Sequence, residues 1–260
     1  MDWSGSMIGL CLSALAGGAV NSLAGGGTLL TFPILVLALS SLGSAEAAVV
    51  ANATSTVALV PGSLAGAWGY RREMPAARRW LLILAGPSLV GGVIGSLLVT
   101  RLPPTYFAAL VPWLLLIAAV VFLADTVLGR FRKVGLEQKP PSAAGIAGLI
   151  VFQFAVSVYG GYFGAGIGIL MLSSLALMGV GDMHRMNALK TVLAACINGV
   201  SVVVFASDGK VNWNFALPMA VAAILGGYLG ARLALRVKPR YVRWAVICIG
   251  FGLAGYYFSR

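Results

Sequence analysis

An apolar run from about Met7 to Leu39 is too long for one ordinary membrane span, and Gly25, Gly26 and Gly27 interrupt it. Glycine weakens a helix, and three glycines in a row leave backbone groups without a helical partner. Inside a membrane, such groups must face protein or a water-filled cavity. The run therefore predicts two helical arms that are joined by a non-helical break.

The second half of the chain repeats this pattern. A long apolar run from Ala143 to Val180 contains a glycine-rich stretch that includes Gly164, Gly166 and Gly168. Two interrupted apolar segments in matching positions of two halves indicate the binding site of a transporter. The alternative is that these glycines only allow helices to pack closely. The recurrence of the break favours the first interpretation without excluding the second.

Composition identifies the class of protein. Of the 260 residues, 60% are hydrophobic and only 10% are charged, with a mean hydropathy of +0.95. Several runs reach the roughly 20 residues that cross a bilayer, which predicts an all-α polytopic membrane protein. The net charge of +11 comes mostly from Lys and Arg in short loops, where they set topology, so we expect no nucleic acid partner.

A constant offset relates the two halves. Adding 135 takes Asn52 to Asn187 and Thr56 to Thr191, and it takes the motif at 91–95 to the motif at 226–230. The glycine-rich stretches align at an offset of about 140. The sequence therefore predicts a first transmembrane repeat at 1–128, a basic cytoplasmic linker at 129–142, and a second transmembrane repeat at 143–260.

Basic residues predict how the repeats are oriented. The loop at 71–79, the linker and the cluster at 232–243 should be cytoplasmic, whereas Arg101 and Lys210 should face outward. Each long run must then enter and leave on one side as a hairpin, followed by three transmembrane helices, which gives two inverted repeats. Two arms of roughly 25 Å fit about 35 residues. The sequence leaves open whether these arms fully cross the membrane.

Opposed hairpins would place both breaks near the membrane centre, where helix N-termini and backbone N–H groups can hold an anion. Thr28 is expected to cap the half-helix that follows the first break. Asn52 and Thr56 share one helical face because they are four residues apart. The predicted substrate-binding residues are Asn21, Gly25, Gly26, Gly27, Thr28, Asn52, Thr56, Gly164, Gly166, Gly168, Asn187, Lys190 and Thr191. The alternative for the polar members is hydrogen bonding between neighbouring helices.

Lys190 lies about one turn inside an apolar span, where a charge is costly and usually functional. Its alternative role is to extend towards the cytoplasmic interface. No carboxylate occupies the middle of a span, which disfavours a carboxylate proton relay. The single histidine and the spacing of the three cysteines give no reason to expect a catalytic site, a metal or a cofactor.

Two stretches resemble the sulfite exporter TauE/SafE family of membrane permeases, and the resemblance extends over essentially the whole chain. They are Leu23-Ala-Gly-Gly-Gly-Thr-Leu-Leu-Thr-Phe-Pro33 and Phe163-Gly-Ala-Gly-Ile-Gly-Ile-Leu170, and the Asn/Thr segments 52–56 and 187–191 accompany them. The resemblance implies transport of sulfur-containing anions across a bacterial-type cytoplasmic membrane. The expected partners are lipid and a small anionic substrate, with the oligomeric state open. The alternatives are an anion channel, a carrier of another small anion, and a membrane-embedded enzyme.

Overall fold

The apolar runs form α-helices throughout the computed structural model, which describes residues 3–23, 25–69, 74–128, 142–177, 183–233 and 239–259. These ranges contain no strand, which confirms the all-α prediction. One 3-10 turn, Ser40–Leu42, precedes the third helix. The helices of the described ranges are α1 (Trp3–Leu23), α2 (Thr28–Ala38), α3 (Ser44–Gly69), α4 (Met74–Arg101), α5 (Pro104–Leu128), α6 (Ala143–Tyr162), α7 (Ile167–Leu177), α8 (Met183–Ser207), α9 (Trp213–Leu233) and α10 (Pro239–Phe258).

Within the described ranges, six helices are long and apolar enough to cross a membrane, namely α3, α4, α5, α6, α8 and α9. The apolar part of α10 is shorter, Trp244–Phe258, although three full spans were expected after each hairpin. The helix α6, expected as a hairpin arm, reaches the length of a span. The predicted linker lies outside the described residues except for Ser142, whose side chain caps α6 by accepting a hydrogen bond from Gly145 N–H.

The arms of each hairpin differ in length, so the prediction of two arms near 25 Å is wrong. The helix α1 has 21 residues and α2 has 11. At 1.5 Å per residue these arms measure about 31 Å and about 16 Å. In the second hairpin, α6 has 20 residues and α7 has 11. The reason in the first hairpin is that α1 begins at Trp3, before the apolar run, whereas α2 ends at Ala38 and the 3-10 turn follows.

The first helix of each half packs on the fourth helix of the other half, so that α1 contacts α9 and α6 contacts α4. Glycines allow these close approaches, because an added Cβ at each of four positions would meet the partner's backbone. The two helix pairs make the same contacts at equivalent positions. Adding 135 to a residue number in α4 gives the equivalent residue of α9, and adding 139 to a residue number in α1 gives the equivalent residue of α6. The contacts are Gly91 with Phe154, Gly95 with Val158, Gly226 with Leu15, and Gly230 with Ala19.

Two ion pairs join opposite ends of equivalent helices of the two halves. Lys210, which follows α8, donates a 2.8 Å hydrogen bond to the carboxylate of Glu46 in the first turn of α3. Arg101, the last residue of α4, lies 3.6 Å from Asp208, in the loop that leads to α9. The start of α3 therefore lies beside the end of α8, and the end of α4 lies near the start of α9. These ion pairs bring Glu46, Arg101 and Lys210 to one face of the bundle.

Candidate functional site

The first break is a short non-helical segment between α1 and α2. Gly25 has a φ of +76°, in the left-handed region that favours glycine. Its N–H donates to the carbonyls of Val20 and Asn21 at 3.2 and 3.1 Å, which closes the end of α1. The next helix starts on the carbonyl of Gly26, which accepts from Leu29 N–H at 3.1 Å. The glycines thus end one helix and start another within four residues.

The second break repeats this geometry at an offset of 139, close to the predicted offset of about 140. Gly164 is the counterpart of Gly25, with a φ of +81°, and its N–H donates to the Tyr159 carbonyl at 3.3 Å. Gly166 is the counterpart of Gly27, and its carbonyl accepts from Ile169 N–H at 3.1 Å. The breaks differ in one respect, since Gly166 has a φ of +81° whereas Gly27 has a helical φ of −56°.

The two breaks contact each other. The N–H of Gly166 donates to the carbonyl of Gly25 at 3.2 Å. A Cβ added to Gly25 would lie 3.1 Å from the Cα of Gly168, which is tighter than ordinary van der Waals contact. The structure therefore brings together three of the predicted glycines, one from the first half and two from the second.

The short helices α2 and α7 both begin at these breaks. Their N-termini carry partial positive charge and are suited to bind an anion. The prediction that Thr28 caps α2 is wrong, because Thr28 is the first residue of the helix. The N-cap position belongs to Gly27, and the cap has no side-chain hydrogen bond. The Thr28 side chain is nevertheless buried at the break.

Phe122 of α5 lies against both breaks and was not identified from the sequence. Its ring occupies the place that a side chain at Gly26 would need, and it lies 3.6 Å from the place of a Cβ at Gly166. Phe122 is fully buried. The offset of 135 takes this position to Tyr257 in α10, so the repeat has an aromatic residue at both equivalent positions. The equivalence of two aromatic positions alone, however, does not reveal which surface they contact.

Asn52 connects α3 to the second break. Its side chain is 1% exposed, and its Nδ2 donates to the carbonyl of Tyr162 at 3.0 Å. Tyr162 is the last residue of α6, directly before the break. The side-chain oxygen of Asn52 is buried and has no hydrogen-bond partner. The predicted site residue Asn52 therefore lies at the break, with one polar atom unsatisfied.

The threonines predicted beside the asparagines hydrogen-bond within their own helices. Thr56 donates to the Asn52 carbonyl at 2.9 Å, and Thr191 donates to the Asn187 carbonyl at 2.7 Å. A hydroxyl proton that is used in this way is not available to an anion at the same time. Both hydroxyls retain lone pairs, so they remain acceptors. Thr56, Asn187 and Thr191 are each half-buried.

Asn21 connects α1 to α3, because its Nδ2 donates to Ser63 Oγ at 2.7 Å. This contact is the helix-packing role that was left open for the polar residues. The offset of 135 takes Ser63 to Asn198, whose side-chain oxygen lies 3.8 Å from the place of a Cβ at Gly164. Asn198, which was not predicted as a site residue, thus adds an amide near the second break.

Lys190 is buried, with 4% of its surface exposed. The position equivalent to Lys190 in the first half is Ser55, whose hydroxyl hydrogen-bonds Thr31 of α2. Of the side chains that the structure describes, Lys190 and Asp125 are the two buried ionisable ones with a formal charge at neutral pH. Asp125 lies near the end of α5. The burial of Lys190 agrees better with a role inside the bundle than with extension to the interface.

An aromatic cluster lies beside the second break. The Phe32 and Phe163 rings meet edge to face with centroids 5.5 Å apart, and Phe107 packs on Tyr162 at 5.3 Å. Tyr257 extends the cluster at 6.4 Å from Phe32. Phe107 is in the first turn of α5, three residues after Pro104, so the cluster lies towards the face that carries Arg101.

Comparison with known proteins identifies a family and several membrane transporters to which the chain is similar. The model of the family described as "Sulfite exporter TauE/SafE" matches residues 10–257. A probable membrane transporter of Haemophilus influenzae is 26% identical over 89% of this chain and 86% of its own length. The probable membrane transporter YfcA of Escherichia coli K12 is 27% identical over 91% of this chain and 83% of its own. No solved structure matches the chain. The described residues contain no group of three or more His, Cys, Asp or Glu that could hold a metal ion.

Proposed function

Because this chain belongs to the sulfite exporter TauE/SafE family, we propose that it exports small sulfur-containing anions, such as sulfite, thiosulfate or organosulfonates, through a central site at its two glycine-rich breaks. The chain is a multi-pass membrane protein, and its bacterial relatives indicate the cytoplasmic membrane. The observation that carries the proposal is the contact between the breaks, where Gly166 N–H donates to the Gly25 carbonyl.

The electrostatics of this region favour an anion. The N-termini of α2 and α7 both lie at the breaks, and helix N-termini attract negative charge. Lys190 adds a buried positive charge on α8, which packs against α3. Of the described carboxylates, Glu46 pairs with Lys210, Asp208 pairs with Arg101, and Asp125 is buried on α5 three residues after Phe122. A buried metal cation takes several oxygen ligands, and one nearby carboxylate does not supply them.

The packing supports an inverted-repeat mechanism. The first helix of each half packs on the fourth helix of the other half through equivalent glycines, and α3 and α8 run antiparallel. Transporters built from inverted repeats alternate access by rocking one part of the molecule against the other around a fixed site. In this scheme the aromatic cluster around Phe32 and Phe163 closes one route to the breaks, and opening requires it to separate.

Counterflow of labelled sulfite in proteoliposomes tests the transport proposal. A carrier gives saturable exchange of labelled sulfite against an excess of unlabelled sulfite, whereas a channel gives flux without such exchange. Liposomes that contain a variant with Gly25→Val provide the control, because a branched side chain would separate the breaks. Sulfite exchange equal to that of protein-free liposomes would overturn the proposal.

A thermal-stability screen identifies the substrate class. An anion that binds only the folded protein raises stability by about 2.7 kcal/mol at a hundred times its dissociation constant. Sulfite should stabilise the protein, thiosulfate and sulfoacetate are the other sulfur anions to compare with it, and sulfate and chloride are the reference anions. Stabilisation by chloride alone would favour a carrier or channel for another small anion.

A further inference from the structure

The unsatisfied oxygen of Asn52 needs a chemical explanation, because buried polar atoms without a partner are rare. The orientation of the amide is fixed by its neighbour. The carbonyl of Tyr162 only accepts hydrogen bonds, so Nδ2 must face it at 3.0 Å and Oδ1 must face away. Exchanging the two atoms would bring two oxygens together. The buried atom is therefore an acceptor, and its missing partner is a donor.

A fully deprotonated oxyanion carries no donor. Sulfite dianion, sulfate and thiosulfate present lone pairs on every oxygen, and these would repel the lone pairs of Oδ1. A monoanion that carries a hydrogen has a negative charge, which the helix N-termini and Lys190 attract. It can also donate a hydrogen bond to Oδ1 of Asn52. Sites that hydrogen-bond a substrate proton reject the analogue without it, because the buried acceptor is then left unpaired.

From this geometry we infer that Asn52 selects proton-bearing anions, so that hydrogensulfite, rather than sulfite dianion, is the species that occupies the site. The inference rests on the proposed function, since it names the form of the sulfur anion that the central site takes. Asn52 is then a specificity-determining residue. Its Nδ2 holds the side chain against the second break, and its Oδ1 accepts a hydrogen bond from the substrate.

The test compares hydrogensulfite with methanesulfonate, which has the same charge and the same three-oxygen group but a methyl in place of the acidic hydrogen. Binding to the purified protein is measured by calorimetry on both sides of the second ionisation of sulfite, which falls near neutral pH. We expect hydrogensulfite to bind about tenfold or more tightly than methanesulfonate, and sulfite affinity to fall as the dianion replaces the monoanion.

Methanesulfonate does not titrate in this range, so it reports any effect of pH on the protein itself. The described charged side chains on the helices that pack against α3 are Asp125, Arg185 and Lys190, and the tyrosines Tyr159 and Tyr162 lie at the second break. A change in the charge of the protein would alter the binding of both anions. A pH dependence seen for sulfite alone belongs to the substrate.

Asn52→Leu removes the acceptor, together with the Nδ2 donor, and keeps the branched shape of the side chain. The preference for hydrogensulfite should then disappear, and methanesulfonate should bind at least as well as before, which a misfolded protein could not do. Ser96→Ala is the matched control, since Ser96 is equally buried on α4 and its hydroxyl bonds the Gly92 carbonyl of its own helix. The preference should persist in this variant.

The outcomes separate the two proposals. Equal binding of hydrogensulfite and methanesulfonate by the unmodified protein would overturn the selectivity of Asn52 while leaving sulfur-anion transport in place. A preference that survives Asn52→Leu would also overturn it, because selection would then not need the Asn52 acceptor. Failure of both anions to bind, and of sulfite to exchange, would overturn the proposed function together with the inference.

Discussion

Residue scale: the ring of Phe122 occupies the space that a side chain at Gly26 would need. The glycine at this position is therefore required by a neighbour from α5 as well as by the break itself. Because the neighbouring atoms are the far end of a ring, a change in one residue can be offset by a change in the other.

We predict that Gly26→Ala lowers the free energy of unfolding by about 1–3 kcal/mol, the range for overpacking of a filled core. Adding Phe122→Leu should recover most of the loss, because the shorter side chain leaves room for the new methyl group. Chemical denaturation in detergent measures both effects. Gly9→Ala is the control, since nothing lies within 4 Å of a Cβ at that position. An equal loss at Gly9, or no recovery in the double variant, would contradict the role of Phe122.

Lys190 supplies the buried positive charge of α8. We expect Lys190→Gln to weaken sulfite binding about tenfold or more, since hydrogen bonds to charged groups are worth roughly 1.5–3 kcal/mol. Arg185→Gln, five residues earlier and exposed, should have little effect. Calorimetric titration of both variants decides the matter. Unchanged affinity in Lys190→Gln would return this residue to an interfacial or packing role.

Element scale: the glycines of α4 and α9 set the distance between the two halves. Gly95 and Gly226 lie against the backbones of α6 and α1, where neither partner atom belongs to a flexible side chain. We predict that Gly95→Ala and Gly226→Ala each destabilise the protein by about 1–3 kcal/mol or more, because whole helices must separate.

Gly148→Ala in α6 is the matched control. Its Cβ would meet nothing within 4 Å, so the substitution should stabilise the helix by roughly 0.5–1 kcal/mol. Thermal unfolding followed by circular dichroism compares the three variants. A similar response at all three positions would show that helix propensity, and not close approach, decides the outcome.

The sequence predicted the helices better than their partners. Hydropathy predicted the helices and the glycine-rich breaks, and the offset of 135 predicted that Gly91 and Gly226 are equivalent. Equivalence within a repeat does not say which helix a glycine meets, and the partner of α9 proved to be α1, which is far away in the chain. Thr28 was misplaced because the hydroxyl preference of N-caps was applied where Gly27 occupies the cap position.

Whole-molecule scale: the Glu46–Lys210 and Arg101–Asp208 pairs bring segments from both halves to one face of the bundle. We predict that Gly43 and Lys210 are outside and that Gly135 and Lys238 are inside. Single cysteines labelled from each side of the membrane measure this, on a background without Cys11, Cys196 and Cys248. Labelling of Gly43 and Gly135 from the same side would rule out the inverted repeats.

Charge placement also bears on the driving force. Asp125 is the one buried carboxylate among the described side chains, and a relay or a sodium site usually needs more than one, so we expect no obligatory proton or sodium partner. A potential of 140 mV, negative inside, favours exit of a monoanion by roughly 3 kcal/mol. A potassium–valinomycin potential should therefore drive substrate flux in proteoliposomes at equal pH without sodium. Flux that follows only a proton or sodium gradient would contradict this expectation.

The packing of α1 on α9 has a consequence for how the protein is made. Ala19 meets Gly230, which the ribosome adds roughly 210 residues later, or about 10–40 s at 5–20 residues per second. During that interval the packing face of α1 is in the membrane without its final neighbour, whereas α6 finds α4 already synthesised. A nascent chain that stops before α9 thus has only α2 and α3 packed on α1, and the ninth helix completes the packing of the first.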